Sequence, residues 1–257
     1  MNLGYACINT GLSANRIMTN RTMRRKTFDA RGIDYVSDLS LANIKDLKTI
    51  VQWNNEMGIK LFRLSSQIFP WSDEYNVEDL KDYEEISSLM LEIGRIATDA
   101  GQRLTMHPGP YNCLASPTQK VVDKTIRELN SHSKQFNMFG FKPSNYNKIN
   151  IHVGGAYGDR KSTLARFCNN FHLLNEDTKK RLVIENDDSP NEYSVKDLFD
   201  GIYQIIGIPI TFDYFHHKFN TGGLTEEQAL KMASITWPEG VTQCCHYSES
   251  RRKEKLD

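Results

Sequence analysis

No stretch of the 257 residues approaches the roughly 20 consecutive apolar positions that a bilayer-spanning helix needs. The opening MNLGYACINT lacks the basic-then-apolar order of a secretory leader. Cysteines are few: Cys7, Cys113, Cys168, Cys244 and Cys245 form no CxxC pair, and a disulfide framework is not expected in a chain this long. Cys244 and Cys245 are neighbours, so on a strand they face opposite ways. These absences lead to the expectation of a reduced, intracellular protein with no membrane partner. An excess of charge is also missing. The 32 basic residues are balanced by 32 acidic ones, which argues against a globally basic nucleic-acid binder. Internal repeats and low-complexity tracts are absent as well.

The balance is not even along the chain. RIMTNRTMRRKTFDAR carries Arg16, Arg21, Arg24, Arg25, Lys26 and Arg31 against one acid, Asp29. A basic segment can be a solvated loop or a phosphate-contacting surface. On a neutral chain it favours a directed DNA or phosphate surface.

Length and patterning point to a single (β/α)8 barrel domain over residues 1–257. Strands are expected at 3–8, 59–66, 103–107, 148–153, 181–186, 209–214 and 241–248. Helices are expected at about 41–56, 81–100, 195–206 and 225–234, with further ones opening near Pro117 and after the glycine loop at 154–158. The last seven residues, RRKEKLD, stand where an eighth strand should begin, so the expected barrel is incomplete at its C-terminal end.

Chemistry concentrates at the strand ends. LTMHPGPYN, KINIHVGG, RLVIEND, ITFDYFHH and TQCCHYSES deliver His107, His152, Glu185, Asp213, His216, His217 and His246. Parallel strands bring such residues to one rim, where βα loops build active sites. Mixed carboxylates and imidazoles suit Mn²⁺, Zn²⁺ or Fe²⁺. Asp213 and His216 can reach one ion if the chain turns there, and His217 then points elsewhere. GGAYGDRKS is not a Walker loop. It reads either as a tight turn or as backbone N–H contact to a phosphate at a helix N-terminus, with Lys161 or Arg160 assisting. Tyr5 and Tyr111 are either packing residues or rim aromatics able to stack on bases.

Over nearly all its length the chain resembles the UV damage endonucleases (UvdE type) of the xylose isomerase/endonuclease IV-like barrel superfamily. The likeness rests on LGYACIN, FRLSSQIFPWS, RLTMHPGPYNCLASP, INIHVGGAYGDRKS, RLVIENDD, IPITFDYFHHKFN, ITWPEG and HYSES. The resemblance implies a DNA repair endonuclease that nicks the phosphodiester 5′ of ultraviolet photolesions in double-stranded DNA. It implies two or three divalent ions, Mn²⁺ foremost with Zn²⁺, Mg²⁺ and Co²⁺ as alternatives, and a monomeric enzyme. Carried over by motif, His107, His152, Glu185, Asp213, His216 and His246 are metal ligands, with Glu185 the catalytic bridging carboxylate. Tyr5 lies near the scissile bond, and Pro110 and Tyr111 probe the damaged duplex.

The chain departs from the family pattern in four places. Gln67 stands where many relatives have His, Cys244 where they often have Lys, and Pro110 where Gln is usual. The family's last strand, with its terminal glutamate, has no counterpart. Two alternatives therefore stay open: a metal-dependent sugar isomerase or epimerase of the same superfamily, and a non-catalytic damage-binding form.

Overall fold

The computed structural model describes residues 2–249. Short strands alternate with helices: β1 (Gly4–Ala6), α1 (Thr10–Ser13), α2 (Arg25–Glu56), β2 (Leu61–Leu64), α3 (Tyr83–Asp99), β3 (Arg103–Met106), α4 (Gln119–Met138), β4 (Ile149–Ile151), α5 (Arg160–Phe171), α6 (Glu176–Lys179), β5 (Leu182–Glu185), α7 (Val195–Leu198), α8 (Gln204–Ile206), β6 (Ile210–Thr211), α9 (Tyr214–Phe219) and α10 (Glu226–Ser234). The chain forms two compact units, Met1–Gly109 with Arg127–Ile149, and Pro110–Ile126 with Asn150–Asp257; α4 and β4 straddle the division. No helix among the described residues is long and apolar enough to cross a membrane.

In the first unit β1, β2, β3 and the start of β4 pair in parallel and in chain order, with Gly4 opposite Leu61, Leu61 opposite Arg103 and Met106 opposite Ile149. Parallel neighbours need a long crossover, which α2 and α3 supply. Their facing stripes bury Leu47, Ile50 and Val51 of α2 and Ile86, Met90 and Ile93 of α3. Gly94 admits the chain so closely that a Cβ there would lie 1.7 Å from the Phe139 carbonyl oxygen.

Helix α2 begins sixteen residues before the expected 41, so Arg25, Lys26 and Arg31 sit on a helix rather than in a loop. The apolar stripe that announces this helix starts only with Val36. Before it, Gly32 interrupts the helix at φ 64°, ψ −161°, a backbone state open to glycine and strained for other residues.

The N-terminal part of α2 is tied down by polar contacts. Asn43, fully buried, accepts from the Arg21 N–H (3.1 Å) and donates to the carbonyls of Arg21 (3.0 Å), Gln67 (3.2 Å) and Ile68 (3.1 Å). Arg21 itself pairs with Asp46 at 2.6 Å and donates to the Met18 and Arg16 carbonyls. Arg25 reaches Asp29 and Glu74, both at 2.8 Å, with its guanidinium 5.4 Å from the Phe28 ring centroid and 5.5 Å from that of Trp71.

In the second unit the strand order continues through the rest of β4, β5 and β6, with Ile184 opposite Ile210 and Glu185 opposite Thr211. The expected seventh strand at 241–248 shrinks to one parallel bridge, Asp213 opposite His246. Its hydrogen bonds run from the His246 N–H to the Phe212 carbonyl (2.9 Å) and from the Tyr214 N–H to the His246 carbonyl (3.1 Å). The reason lies one step back along β6. The N–H of Ile210 donates to the Thr236 hydroxyl and its carbonyl accepts from the Trp237 indole, both at 2.8 Å, so side chains occupy the backbone groups a longer ladder would use.

The other strands are also shorter than expected, β6 by four residues at 210–211. DYFHH, expected to turn into a loop, instead starts α9 with Asp213 as its N-cap. The helix expected at 195–206 is α7 and α8 joined by a π turn over Phe199–Tyr203. RRKEKLD and the eighth-strand position lie outside the described residues.

Replacing Asn43 with Leu takes the partner from three carbonyls and one N–H, the Ile68 carbonyl among them in a buried position. We expect a loss of about 2–4 kcal/mol from the unfolding free energy, read from urea titration, with the slope unchanged.

Candidate metal centre

Five side chains of the second unit, Glu185 among them, come together at one place. Glu185 ends β5, Asp213 stands two residues past β6 and His246 sits across the bridge from it; His152 follows β4, and His216 lies in the first turn of α9. The C-terminal edge of successive parallel strands thus gathers them, as the strand-end pattern anticipates.

The Glu185 side chain is 2% exposed. Its Oε1 stands 2.8 Å from His246 Nδ1 and 3.8 Å from His216 Nδ1. Its Oε2 accepts a short hydrogen bond from Asn150 Nδ2 and lies 3.7 Å from His152 Nε2. One ligand atom each from Glu185, Asp213 and His246 lies within 4.8 Å of the others. First-row divalent ions hold oxygen and nitrogen at about 2.0–2.2 Å, so two ligands of one ion stand up to about 4.4 Å apart. The spacing and the donor chemistry both fit such an ion.

The segment carrying Glu185 also aims the other candidate ligands. Asn186, fully buried, accepts from the Asp213 N–H at 2.9 Å and donates to the Asp213 carbonyl at 3.1 Å. Its own carbonyl lies 2.8 Å from His216 Nδ1, and because a carbonyl only accepts, that nitrogen carries the proton and Nε2 is left to bind. Asp187 does the same for His152 through Nδ1, at 2.7 Å. Asp213 Oδ1 in turn accepts the His216 N–H at 2.9 Å. Carboxylates and carbonyls behind histidine ligands fix tautomer and ring orientation.

Titration follows from this packing. Burial disfavours the charged form of His152, but the Asp187 hydrogen bond and the charges of Glu185, Asp187 and Glu192 outweigh it and push its pKa up to about 9. Burial, helped by the Glu185 charge, raises the pKa of Asp213. Burial, with the charges of Asp187 and Asp188, likewise raises that of Glu192.

Of the other expected site residues, His107 directly follows β3 in the first unit, half-buried, with Nδ1 3.0 Å from the Pro108 carbonyl oxygen. Tyr5, on β1, donates to Asn54 Oδ1 at 2.7 Å and accepts from Asn9 Nδ2 at 2.8 Å. Arg16, Arg24, Arg25, Lys26 and Arg31 are exposed, and Arg21 is half-buried in its pairing with Asp46. Pro110, Tyr111 and Lys161 are exposed in the second unit, and His217 is buried beside Phe212. Gln67 is exposed and accepts from the Thr22 hydroxyl at 3.0 Å.

Sequence reasoning passed over Asn150, Asn186 and Asp187. The first was visible as a polar residue inside the apolar run INI, and the other two as the unexplained remainder of ENDD.

The sequence profile described as UV-endonuclease UvdE matches residues 1–256. A UV-damage endonuclease of Schizosaccharomyces pombe is 38% identical over 263 residues, covering 96% of this chain and 42% of that protein. The chain therefore spans less than half the length of that relative. The crystal structure of SacUVDE superimposes with a TM-score of 0.88 at 31% identity, over 100% of this chain and 83% of that one. A D-psicose 3-epimerase crystallised in the presence of D-fructose gives a TM-score of 0.57 at 14% identity, over 80% of this chain and 68% of that one; this likeness bears on the fold alone. Six parallel strands in chain order, interleaved with helices, and these neighbours establish an incomplete (β/α)8 TIM barrel.

A metal ion bound at this centre would compete with a proton for His152. Its raised pKa stabilises the metal-free protein fully below about pH 6.5 and ceases to do so as pH rises through about 9. Metal needs the neutral imidazole, so Mn²⁺ affinity measured by calorimetry should climb over that window while the metal-free unfolding midpoint falls. Asp187→Asn should lower metal affinity about 10–100-fold.

Proposed function

The chain belongs to the UV-endonuclease UvdE family, and on that premise we propose that it is a DNA repair endonuclease. It nicks the phosphodiester 5′ of cyclobutane dimers and 6-4 photoproducts, using divalent metal at the Glu185 centre. The observation that carries the reading is the convergence of Glu185, Asp213 and His246 within ligand reach of one another. His152 and His216 complete the proposed ligand set of the second unit and His107 is the proposed ligand of the first, with Mn²⁺ the favoured ion and two or three bound. When bound, such ions supply Lewis-acid stabilisation of the attacking and leaving oxygens of a phosphodiester.

The protein's own groups do the rest. Glu185 brings a full negative charge into a nearly closed site, so cations assemble around it and a phosphate can be held against them. Tyr5 offers a phenol fixed between Asn9 and Asn54 beside the scissile bond. Pro110 and Tyr111 meet the lesion. A photoproduct already stacks and pairs poorly, so displacing it costs less than displacing normal bases, and that difference supplies selectivity.

Of the basic segment, Arg16, Arg24, Lys26 and Arg31 point outward. Arg21 and Arg25 spend their charge on Asp46, Asp29 and Glu74. Lys161, exposed near the start of α5, adds one more cation. Damaged double-stranded DNA is the proposed partner of a monomeric, intracellular protein, with residues 1–257 acting as one barrel domain.

The deciding assay is an end-labelled duplex with one thymine dimer, incubated with Mn²⁺ beside EDTA and undamaged controls. Glu185→Gln should cut about 1,000-fold more slowly, on the order of 4 kcal/mol of transition-state stabilisation, while binding the duplex nearly as before. Near-full nicking by that variant sinks the metal assignment. Arg24→Ala with Lys26→Ala should weaken binding to damaged and undamaged duplexes alike. For every phosphate no longer neutralised, the slope of log K against log salt should fall by about 0.9. A change in lesion preference at constant affinity would contradict a purely electrostatic role.

A further inference from the structure

Tyr111 is 90% exposed, yet the five residues after it, Asn112 to Ser116, are all buried. A buried irregular segment must hand its backbone groups to partners within the protein. Here those partners come from three elements of the same unit. Thr125 of α4 accepts the Cys113 N–H at 3.0 Å. Asn170 and Arg166, one turn apart on α5, donate to the carbonyls of Leu114 (2.7 Å) and Ala115 (3.0 Å). The Cys113 thiol reaches the Val153 carbonyl just past β4, at 3.1 Å. Arg166 is itself steadied by Thr163, whose hydroxyl accepts from Nη2 at 2.9 Å.

We infer that Arg166 and Asn170 are specificity-determining positioning residues, a brace that holds Tyr111 rigid so that it can probe a base stack. The inference rests on the endonuclease reading above, in which Tyr111 meets the lesion. An aromatic that inserts into a duplex works against stacking, and only a tip already ordered can press on the weakened step without first losing its own freedom. Pro110, with its locked φ, stiffens the other side of the same residue. The brace touches neither the ligands around Glu185 nor the outward-facing cations, so it acts on discrimination and not on metal or general affinity.

The test uses the full chain and compares Arg166→Met, Asn170→Leu and the near-isosteric Thr125→Val with Tyr111→Ala. Three quantities are measured for each: the ratio of Kd for undamaged and dimer-bearing duplexes, amide hydrogen exchange over 112–116, and Mn²⁺ affinity. Loss of one charge-assisted or buried hydrogen bond should lower the ratio about tenfold. Exchange should quicken while Mn²⁺ affinity and undamaged-duplex affinity hold. Thr125→Val, which exchanges a hydroxyl for a methyl group of similar size, keeps the comparison meaningful if an α5 variant fails to fold. A wild-type protein without lesion preference overturns the functional reading and the inference with it. If Tyr111→Ala abolishes the preference while the three brace variants keep it, the brace alone is refuted. Unchanged exchange in the brace variants also refutes it.

Discussion

The structure of the second unit depends on a buried carboxylate. Placing Glu185 at the end of β5, almost out of contact with water, is unfavourable unless its charge is met by donors or cations. The surroundings meet it with an amide from β4 and imidazoles on three separate segments, while Asp213 stands close by with its pKa raised by burial and by the Glu185 charge. Two carboxylates share this space, which is unfavourable without an added positive charge. His152, whose pKa is pushed up to about 9, supplies part of that charge in the metal-free protein, and a divalent ion at this centre would supply it more completely. His152, which stabilises the metal-free fold through its proton, is therefore also a group that would give up a proton if an ion bound.

That constraint explains why one tetrapeptide does so much positioning. Glu185 supplies the charge, Asn186 clamps the backbone of Asp213 on both sides, and Asp187 sets the tautomer of His152. A side-chain amide paired with a peptide N–H and C=O mimics a strand ladder. It extends the β5–β6 pairing one step past where the strands formally stop. Asp213 is thus held at the register its proposed ligand role would require, although β6 itself has only two residues. The bridge to His246 then hangs on Phe212 and Tyr214, so the placement of the last histidine also traces back to that register.

The legible part of this design was the part written as period and punctuation. Alternation of apolar runs with helical stripes gave the barrel class, and polar residues ending apolar runs gave Glu185, Asp213, His152, His216 and His246. Long-range side-chain substitution was not legible. Nothing local says that Thr236 and Trp237 will take the backbone groups of Ile210, which is what reduced an expected strand of eight residues to a bridge. Nor does composition reveal that Arg21 and Arg25 find acids up to 49 positions away, because ion pairing across a fold leaves no periodic trace. The start of α2 was hidden for a related reason: its first turns carry charge and a glycine break where a stripe would be expected.

The basic segment shows how charge is divided between folding and recognition. A helix N-terminus carries a partial positive charge, and α2 begins with Arg24, Arg25 and Lys26 and has no acid in its first turn. This arrangement works against helix stability. Arg25 relieves part of it by pairing with Asp29 and Glu74 and by lying near the rings of Phe28 and Trp71. In doing so it fastens the loop around Trp71 to the helix. Arg24 and Lys26 gain no ion pair among the described residues, so the helix bears an uncompensated repulsion that an anion would relieve. A duplex backbone is such an anion. On the proposed function, its binding would be favoured both by the charges it neutralises and by the strain it removes from the protein, which a neutral or sugar-like substrate would leave in place.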